Sequence, residues 1–267
     1  MKKLLFAALC WLAQPALALT LVDDLGQSFS LEQPASRIIA LTPHTTELLF
    51  SLGVGERIIA TVEYADFPEQ AKKIPLVGGY EGFNIEAIFS YQPDVVLYWP
   101  DGNPMREIER LKQLKLPLFA VNTNSFERVA SDLIKLGQLT NTEAKAQQLA
   151  DEFLAEIAKI RQENQAKTKL KVFYQVWHQP MLSQNKDSFI SQIIELCGGE
   201  NIFADLPVLS PQISVESVLA ANPDVILASG NNNQRPAWLD EWSRYSMLNA
   251  VKNQHIYNTT PDWLHRP

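Results

Sequence analysis

Apolar residues along this chain recur with two different periods. Between residues 140 and 167 there is no Gly and no Pro, and Ala146, Leu149, Phe153, Ile157 and Ile160 recur at steps of three or four. That spacing lines one face of an α-helix. The intervening Lys145, Gln148, Asp151, Glu152, Glu156, Lys159, Arg161 and Glu163 suit water. Thr140 followed by Glu143 has the form of a capping box, which predicts a single helix over 140–167. On both sides of it, short apolar runs bounded by Gly, Pro, Asn or Asp alternate with helical patterns. Strands are predicted at 37–41, 58–62, 95–99, 118–121, 171–177, 225–227 and 255–259, and helices at 47–52, 105–114, 126–139, 189–197, 216–221 and 238–250. Leu19 to Leu31 alternates around Asp23-Asp24-Leu25-Gly26 and predicts a hairpin.

Strand alternating with helix predicts an α/β fold: two Rossmann-like lobes with parallel sheets, joined by one long helix, with a ligand in the cleft between them. The expected domains are a leader at 1–18, a first lobe at 19–139, the linking helix at 140–167 and a second lobe at 168–267. The lobes echo each other. Ile85-Glu86-Ala87-Ile88 is followed by Pro93-Asp94-Val95-Val96-Leu97, and Val215-Glu216-Ser217-Val218 by Pro223-Asp224-Val225-Ile226-Leu227. Each copy reads as a short helix opened by an acid, a Pro-Asp turn and a buried strand. An internal repeat so widely spaced predicts lobes related by a pseudo-twofold axis.

Composition narrows the partners. The chain has 267 residues and a formal charge of −7, and loss of Lys2 and Lys3 with a leader makes it −9 (−7 − 2). This argues against nucleic acid. Lys2-Lys3, the apolar run Leu4–Leu12 and Ala16-Leu17-Ala18 have the layout of a secretory signal, so the protein is expected in the periplasm. That would leave Cys197 as the only cysteine, expected as a buried helix-end residue before Gly198-Gly199.

No phosphate-binding loop, nucleophile elbow, zinc-protease motif or redox Cys pair is present in the sequence. His44, His178 and His265 each follow a predicted strand and could converge on a metal, which keeps open a secreted metal-dependent enzyme. Parallel sheets bind ligands beyond the carboxyl ends of their strands. Tyr64, Tyr80, Trp99, Trp177 and Trp263 fall in loops or at strand ends, where they would offer broad faces to a large planar ligand.

These features resemble the periplasmic substrate-binding proteins of ABC importers whose two lobes are joined by one long helix, and which carry cobalamin, iron-siderophores or haem. The resemblance rests on Ile38 to Glu47, the paired Pro-Asp-Val units, the long helix and Cys197-Gly198-Gly199-Glu200-Asn201-Ile202-Phe203. Within the family, Tyr80-Glu81-Gly82-Phe83-Asn84-Ile85-Glu86, Trp99 with Gly102-Asn103, Ser210-Pro211-Gln212-Ile213-Ser214 and Thr260-Pro261-Asp262-Trp263-Leu264-His265-Arg266 look most like the cobalamin-binding branch.

The resemblance implies a binding protein, not an enzyme, that delivers cobalamin or a related corrinoid to an ABC permease. The corrinoid is then cargo, with no resident cofactor or metal. It places Tyr80 and Trp99 against the corrin, Asp262 and Arg266 at the amide edge of the ligand, and Tyr64 on a bordering loop. Glu86 and Glu216 match surface acids, one per lobe, that dock onto permease arginines. The second-lobe aromatics of the branch fall here on Val176, Leu182 and Ser210, and Trp177 stands beside them as a substitute. Relatives continue past this Asp-Trp segment with a final helix over the second lobe, which this chain, ending at Pro267, is expected to lack, leaving Cys197 a free thiol. A continuous linking helix implies modest closure. The same fold could instead take haem, a ferric siderophore or an oxyanion. Anionic chelates call for several basic residues, and these rims offer only Arg266 and Arg235.

Overall fold

The computed structural model describes residues 19–230, 234–260 and Leu264, so the leader expected at 1–18 lies outside the described residues. The chain opens with the predicted hairpin, β1 (Leu19–Val22) antiparallel to β2 (Ser28–Leu31). Asp23 builds its turn by accepting from the amides of Leu25 and Gln27 at 3.0 and 2.8 Å.

The first lobe continues through β3 (Ile38–Ala40), α1 (Pro43–Ser51), β4 (Ile58–Ala60), the two-residue strands β5 (Gly78–Gly79) and β6 (Gly82–Phe83), α2 (Ile85–Ser90), β7 (Val95–Tyr98), α3 (Met105–Gln113) and β8 (Leu118–Ala120). Its parallel sheet has the order β4-β3-β7-β8. Every residue of β3 and β7 is buried, because helices cover both faces of the sheet. Alternate residues supply each face. Ile38, Ala40, Val95 and Leu97 pack with Leu49, Leu133 and Leu136, whereas Ile39, Val96 and Tyr98 pack with Ile88, Ile108 and Leu111. Helix α1 begins four residues before its predicted start, because the Thr42 hydroxyl caps the Thr45 amide at 3.3 Å and Pro43 needs no hydrogen-bond partner there.

The predicted helix over 140–167 is divided differently. Helix α4 (Phe126–Thr140) runs through Thr140, Asn141 ends it with φ 57° and ψ 46°, and α5 (Glu143–Asn164) starts after Thr142. The expected capping box does not form. Thr140 is buried and its hydroxyl donates to the Leu136 carbonyl at 2.7 Å, so it closes one helix instead of opening the next. The two helices pack closely at Gly137, where a Cβ would lie 2.3 Å from Cβ of Ala146. The 22 residues of α5 make a rod of about 33 Å leading into the second lobe.

That lobe comprises β9 (Leu170–Gln175), α6 (Phe189–Leu196), β10 (Gly199–Asn201), α7 (Val215–Ala221), β11 (Val225–Ser229), α8 (Asn249–Lys252) and β12 (Ile256–Thr259). Its parallel sheet has the order β10-β9-β11-β12. In both lobes the second strand of the sheet flanks the first, and the third and fourth follow on the other side. The predicted repeat is therefore visible as topology. It also has one chemistry: the Asp94 carboxylate accepts from the amides of Ser36 and Arg37 at 2.8 and 2.9 Å, and the Asp224 carboxylate from the Lys171 amide at 3.0 Å. Each Asp of a Pro-Asp turn thus grips the start of the first strand in its own sheet.

Two predictions in this lobe are corrected. The strand β10 is short and polar, so no apolar run announces it; Asn201 is held instead by its side-chain bonds to Gln184 and Ser191 at 2.8 and 2.7 Å. The helix predicted over 238–250 breaks into a 3-10 segment, Ala237–Arg244, and the short α8. The break lets Trp242, Leu248 and Ala250 all reach the core around Phe173, with the Trp242 indole donating to buried Gln175 at 2.8 Å. Behind the cleft the lobes meet where Phe189 of α6 packs edge-on against Phe126 of α4 at 5.0 Å. Ile157 and Leu196 join that cluster, and Gln192 donates to the Asn124 carbonyl at 2.7 Å.

Candidate functional site

A cleft of about 520 Å³ opens between the carboxyl ends of the two sheets. Trp99, Asp101 and Asn122 to Asn124 follow β7 and β8 on one wall; Val176, Gln184, Ser188, Phe189, Ile190, Leu209 and Leu264 form much of the other. Apolar side chains dominate the second wall, whereas the first presents one indole among polar groups.

That indole is held on several sides. The turn Trp99–Asn103 closes through the Asn103 amide donating to the Trp99 carbonyl at 2.9 Å and the Asn103 side chain accepting from the Trp99 amide at 2.7 Å. Only Gly fits at 102, because a Cβ there would lie 1.9 Å from the Trp99 ring. His44 meets the ring edge-on at 5.8 Å. Trp99 Nε1 donates to Asn122 Oδ1 at 3.0 Å, and Asn122 Nδ2 donates to Asp101 at 2.8 Å. A large apolar face fixed before any ligand arrives needs no ordering on binding.

The other expected ligand residues are distributed differently. Tyr80 stands at the tip of the β5–β6 turn and Tyr64 in the loop after β4; both are about three-quarters exposed (75% and 74%). Their segments are joined by the Glu63 amide donating to the Gly78 carbonyl at 2.9 Å. Trp177 lines a separate pocket of about 610 Å³ with His178, Arg235 and Trp238, beyond β9 and β11. The structure thus brings Trp99 into the inter-lobe cleft, Trp177 to a neighbouring pocket, and the two tyrosines to the open first-lobe rim. Asp262 and Arg266 lie outside the described residues, as do Trp263, His265 and Asn231-Asn232-Asn233. Pattern reading missed Asn122 and Phe189. Asn122 carried no motif, and Phe189 read only as the first apolar residue of a helix.

The histidines have other partners. His44 is buried, and desolvation lowers its pKa to about 4, so it is neutral beside Trp99. His178 stacks flat on Trp238 at 5.6 Å with a Glu241 carboxylate oxygen 3.7 Å from its Nε2. Among the described residues no three His, Cys, Asp or Glu side chains are grouped to hold a metal ion. Cys197 is exposed, contrary to expectation, because it caps α6 at a turn completed by Gly198.

Glu86 and Glu216 are both exposed in the first turns of α2 and α7. Asn84 and Ser214 cap these helices, accepting from the amides of Ala87 and Ser217 at 3.0 and 3.2 Å. The Glu216 carboxyl is held below the usual carboxylate range by its own amide and the Ser214 hydroxyl. Neither acid lines the cleft.

Two parallel-sheet lobes closing on a preformed cleft define a two-lobe ligand-binding protein. Residues 38–263 match the model of the periplasmic binding proteins, and the chain belongs to that family. It is 35% identical over 234 residues to a vitamin B12-binding protein of Vibrio campbellii, covering 88% of this chain and 84% of the relative. It is 38% identical over 202 residues to one of Yersinia pestis, covering 76% and 72%. Among solved structures it is similar to the periplasmic vitamin B12 binding protein BtuF of Vibrio cholerae, with a TM-score of 0.78 and 33% identity over 88% of this chain and 91% of that one. The heme-binding protein RhuT from Roseiflexus sp. RS-1, at 23% identity and a TM-score of 0.75 over 86% of this chain and 91% of that one, shares the fold.

Proposed function

We propose that this protein captures cobalamin or a related corrinoid between its lobes in the periplasm and delivers it to an ABC import permease. The observation that carries the reading is the preset indole of Trp99 facing the apolar wall of Val176, Phe189, Ile190, Leu209 and Leu264 across the cleft, in a chain whose named relatives are vitamin B12-binding proteins. A broad ring system gains apolar contact on both walls, while Asp101, Asn122 and Gln184 can meet polar groups at its edge. Tyr64 and Tyr80 stand ready to cover a ligand that rises above the first-lobe rim, and Trp177 one that spreads beyond β9. Asp262 and Arg266 are assigned to the amide edge of the corrinoid.

Delivery is assigned to Glu86 and Glu216. They occupy matching places in the two copies of the repeat, so two exposed carboxylates would meet two arginines of a twofold permease. The corrinoid is cargo, and the leader at 1–18 directs export. The test is a visible absorption spectrum after incubation with cobalamin, cobinamide or haem followed by gel filtration. Co-elution of both corrinoids with the protein is expected. Retention of haem alone would replace the ligand class and leave the fold assignment intact.

A further inference from the structure

Behind the first-lobe wall of the cleft lies a cluster of charged side chains with no part in the contacts above. Asp24, in the hairpin turn, has a side chain only 1% exposed. It accepts from the Asn122 amide at 2.6 Å and from Arg128 Nη1 at 3.1 Å, and it pairs with Lys135 Nζ. Asp132, on α4 with both cations, is also buried; its Oδ2 accepts from the Thr123 hydroxyl at 2.7 Å, and its Oδ1 has no hydrogen-bond partner among the described residues. The two acids therefore grip consecutive residues of one loop, and the first of these, Asn122, holds the Trp99 indole.

The charged and polar groups around the Asp24–Asp132 pair come from three places. The hairpin supplies Asp24, with Asp23 tied to the Ala120 amide; α4 itself supplies Arg128 and Lys135; and the loop after β8 supplies the Thr123 hydroxyl. Helix α5 meets this part of the lobe through Ala146, Leu149 and Phe153, which carry no charge. Burial and the neighbouring Asp24 charge raise the Asp132 pKa to about 7. For Asp24, burial is outweighed by the Asn122 amide and Lys135, and its carboxyl lies below the usual range. A hydrogen bond between the Asp132 and Asp24 carboxyls favours the protonated form of Asp132. Without that proton, the two carboxylates repel each other and share the field of Lys135.

We propose that Asn122 is a positioning residue for Trp99, and that the buried Asp24–Asp132 pair sets how firmly Asn122 is held, so that ligand capture is linked to a proton that never touches the ligand. The affinity arm of the test rests on the corrinoid reading; the spectroscopic arm does not. In ligand-free protein carrying 15N-tryptophan, the Trp99 indole resonance is identified by its loss in Trp99→Phe. It should titrate with a midpoint near the Asp132 value of about 7. It should be static in Asp132→Asn, whose amide mimics the protonated acid by accepting from Thr123 and donating to Asp24. Thr123→Val removes a bond that favours ionised Asp132 and should move the midpoint upward, which keeps the test alive if Asp132→Asn does not fold. Asn122→Ala should displace the Trp99 resonance at every pH. Cobalamin affinity should fall about threefold or more between about pH 6 and pH 8 in the wild type and stay level in Asp132→Asn. A Trp99 resonance that does not move with pH, or that titrates equally in Asp132→Asn, overturns the proposal, as does a midpoint unmoved by Thr123→Val. The expected titration with no cobalamin binding at any pH would support the positioning role and refute the ligand reading instead.

Discussion

Trp99→Ala is the substitution that tests the cleft most directly. An enclosed indole buries about 200 Å². With Gly102 under one face and His44 at its edge, roughly half of that, ~100 Å², is left for a ligand. At ~25 cal/mol per Å² this face contributes ~2.5 kcal/mol to binding, or about 60-fold in affinity. Trp99→Phe keeps most of the apolar face and loses the bond to Asn122, so a cost of ~0.5–1.5 kcal/mol is expected. Trp99 is only partly buried, so both variants should remain folded, which circular dichroism checks before calorimetric titration with cobalamin. An affinity for Trp99→Ala within about twofold of the wild type would remove the indole from the site and with it the area argument.

Three further predictions concern other parts of the molecule. Reversing Glu86 and Glu216 together to Lys should leave cobalamin affinity unchanged and abolish permease-dependent uptake in vesicles, with each single reversal intermediate; full transport by the double variant would leave these acids with only a local role at their helix N-termini. Asp94→Ala should cost about 1–2 kcal/mol in urea denaturation at neutral pH, and Asp224→Ala should also destabilise. Both carboxyls are held below their usual pKa, Asp94 by Ser36 and Arg37 against burial and Asp224 by the Lys171 amide. Their stabilisation is therefore present above the unfolded pKa and lost as pH falls through the folded value, so the variants should show a shallower acid loss than the wild type. Gly137→Val drives a side chain into Ala146 across the α4–α5 contact; a melting temperature equal to that of the wild type would mean the helices can separate there at no cost.

The strands and most helices were legible because their apolar periods agree with burial on both faces of each sheet. The repeat was legible too, since Asp94 and Asp224 hold equivalent strand starts. What pattern could not show is where one helix yields to another. Thr140 suits a helix start chemically, yet its hydroxyl bonds back to Leu136 at the end of α4. Trp99 stands out in the sequence because an indole at a strand end is unusual; Asn122 does not, because its bond to Asp24, distant in sequence, forms only in the fold. Cys197 read as buried from its neighbours in sequence, but the turn at Gly198 points it outward. Long-range polar contacts of this kind leave no periodic trace.

The arrangement of the two sheets also bears on how the molecule is assembled. Among the described residues, the first sheet is drawn entirely from positions before α5 and the second entirely from positions after it. No strand of one half waits for a segment of the other. The first sheet can therefore pair without the second, although its core is covered in part by Ala146, Leu149 and Phe153 of α5 and by Phe189 of α6. The joint at Phe126, Ile157, Phe189 and Leu196 needs both halves, so it cannot close until both are present. The wall carrying Trp99 and Asn122 belongs wholly to the first half, and α6, completing the joint, brings Phe189 and Ile190 to the opposite wall.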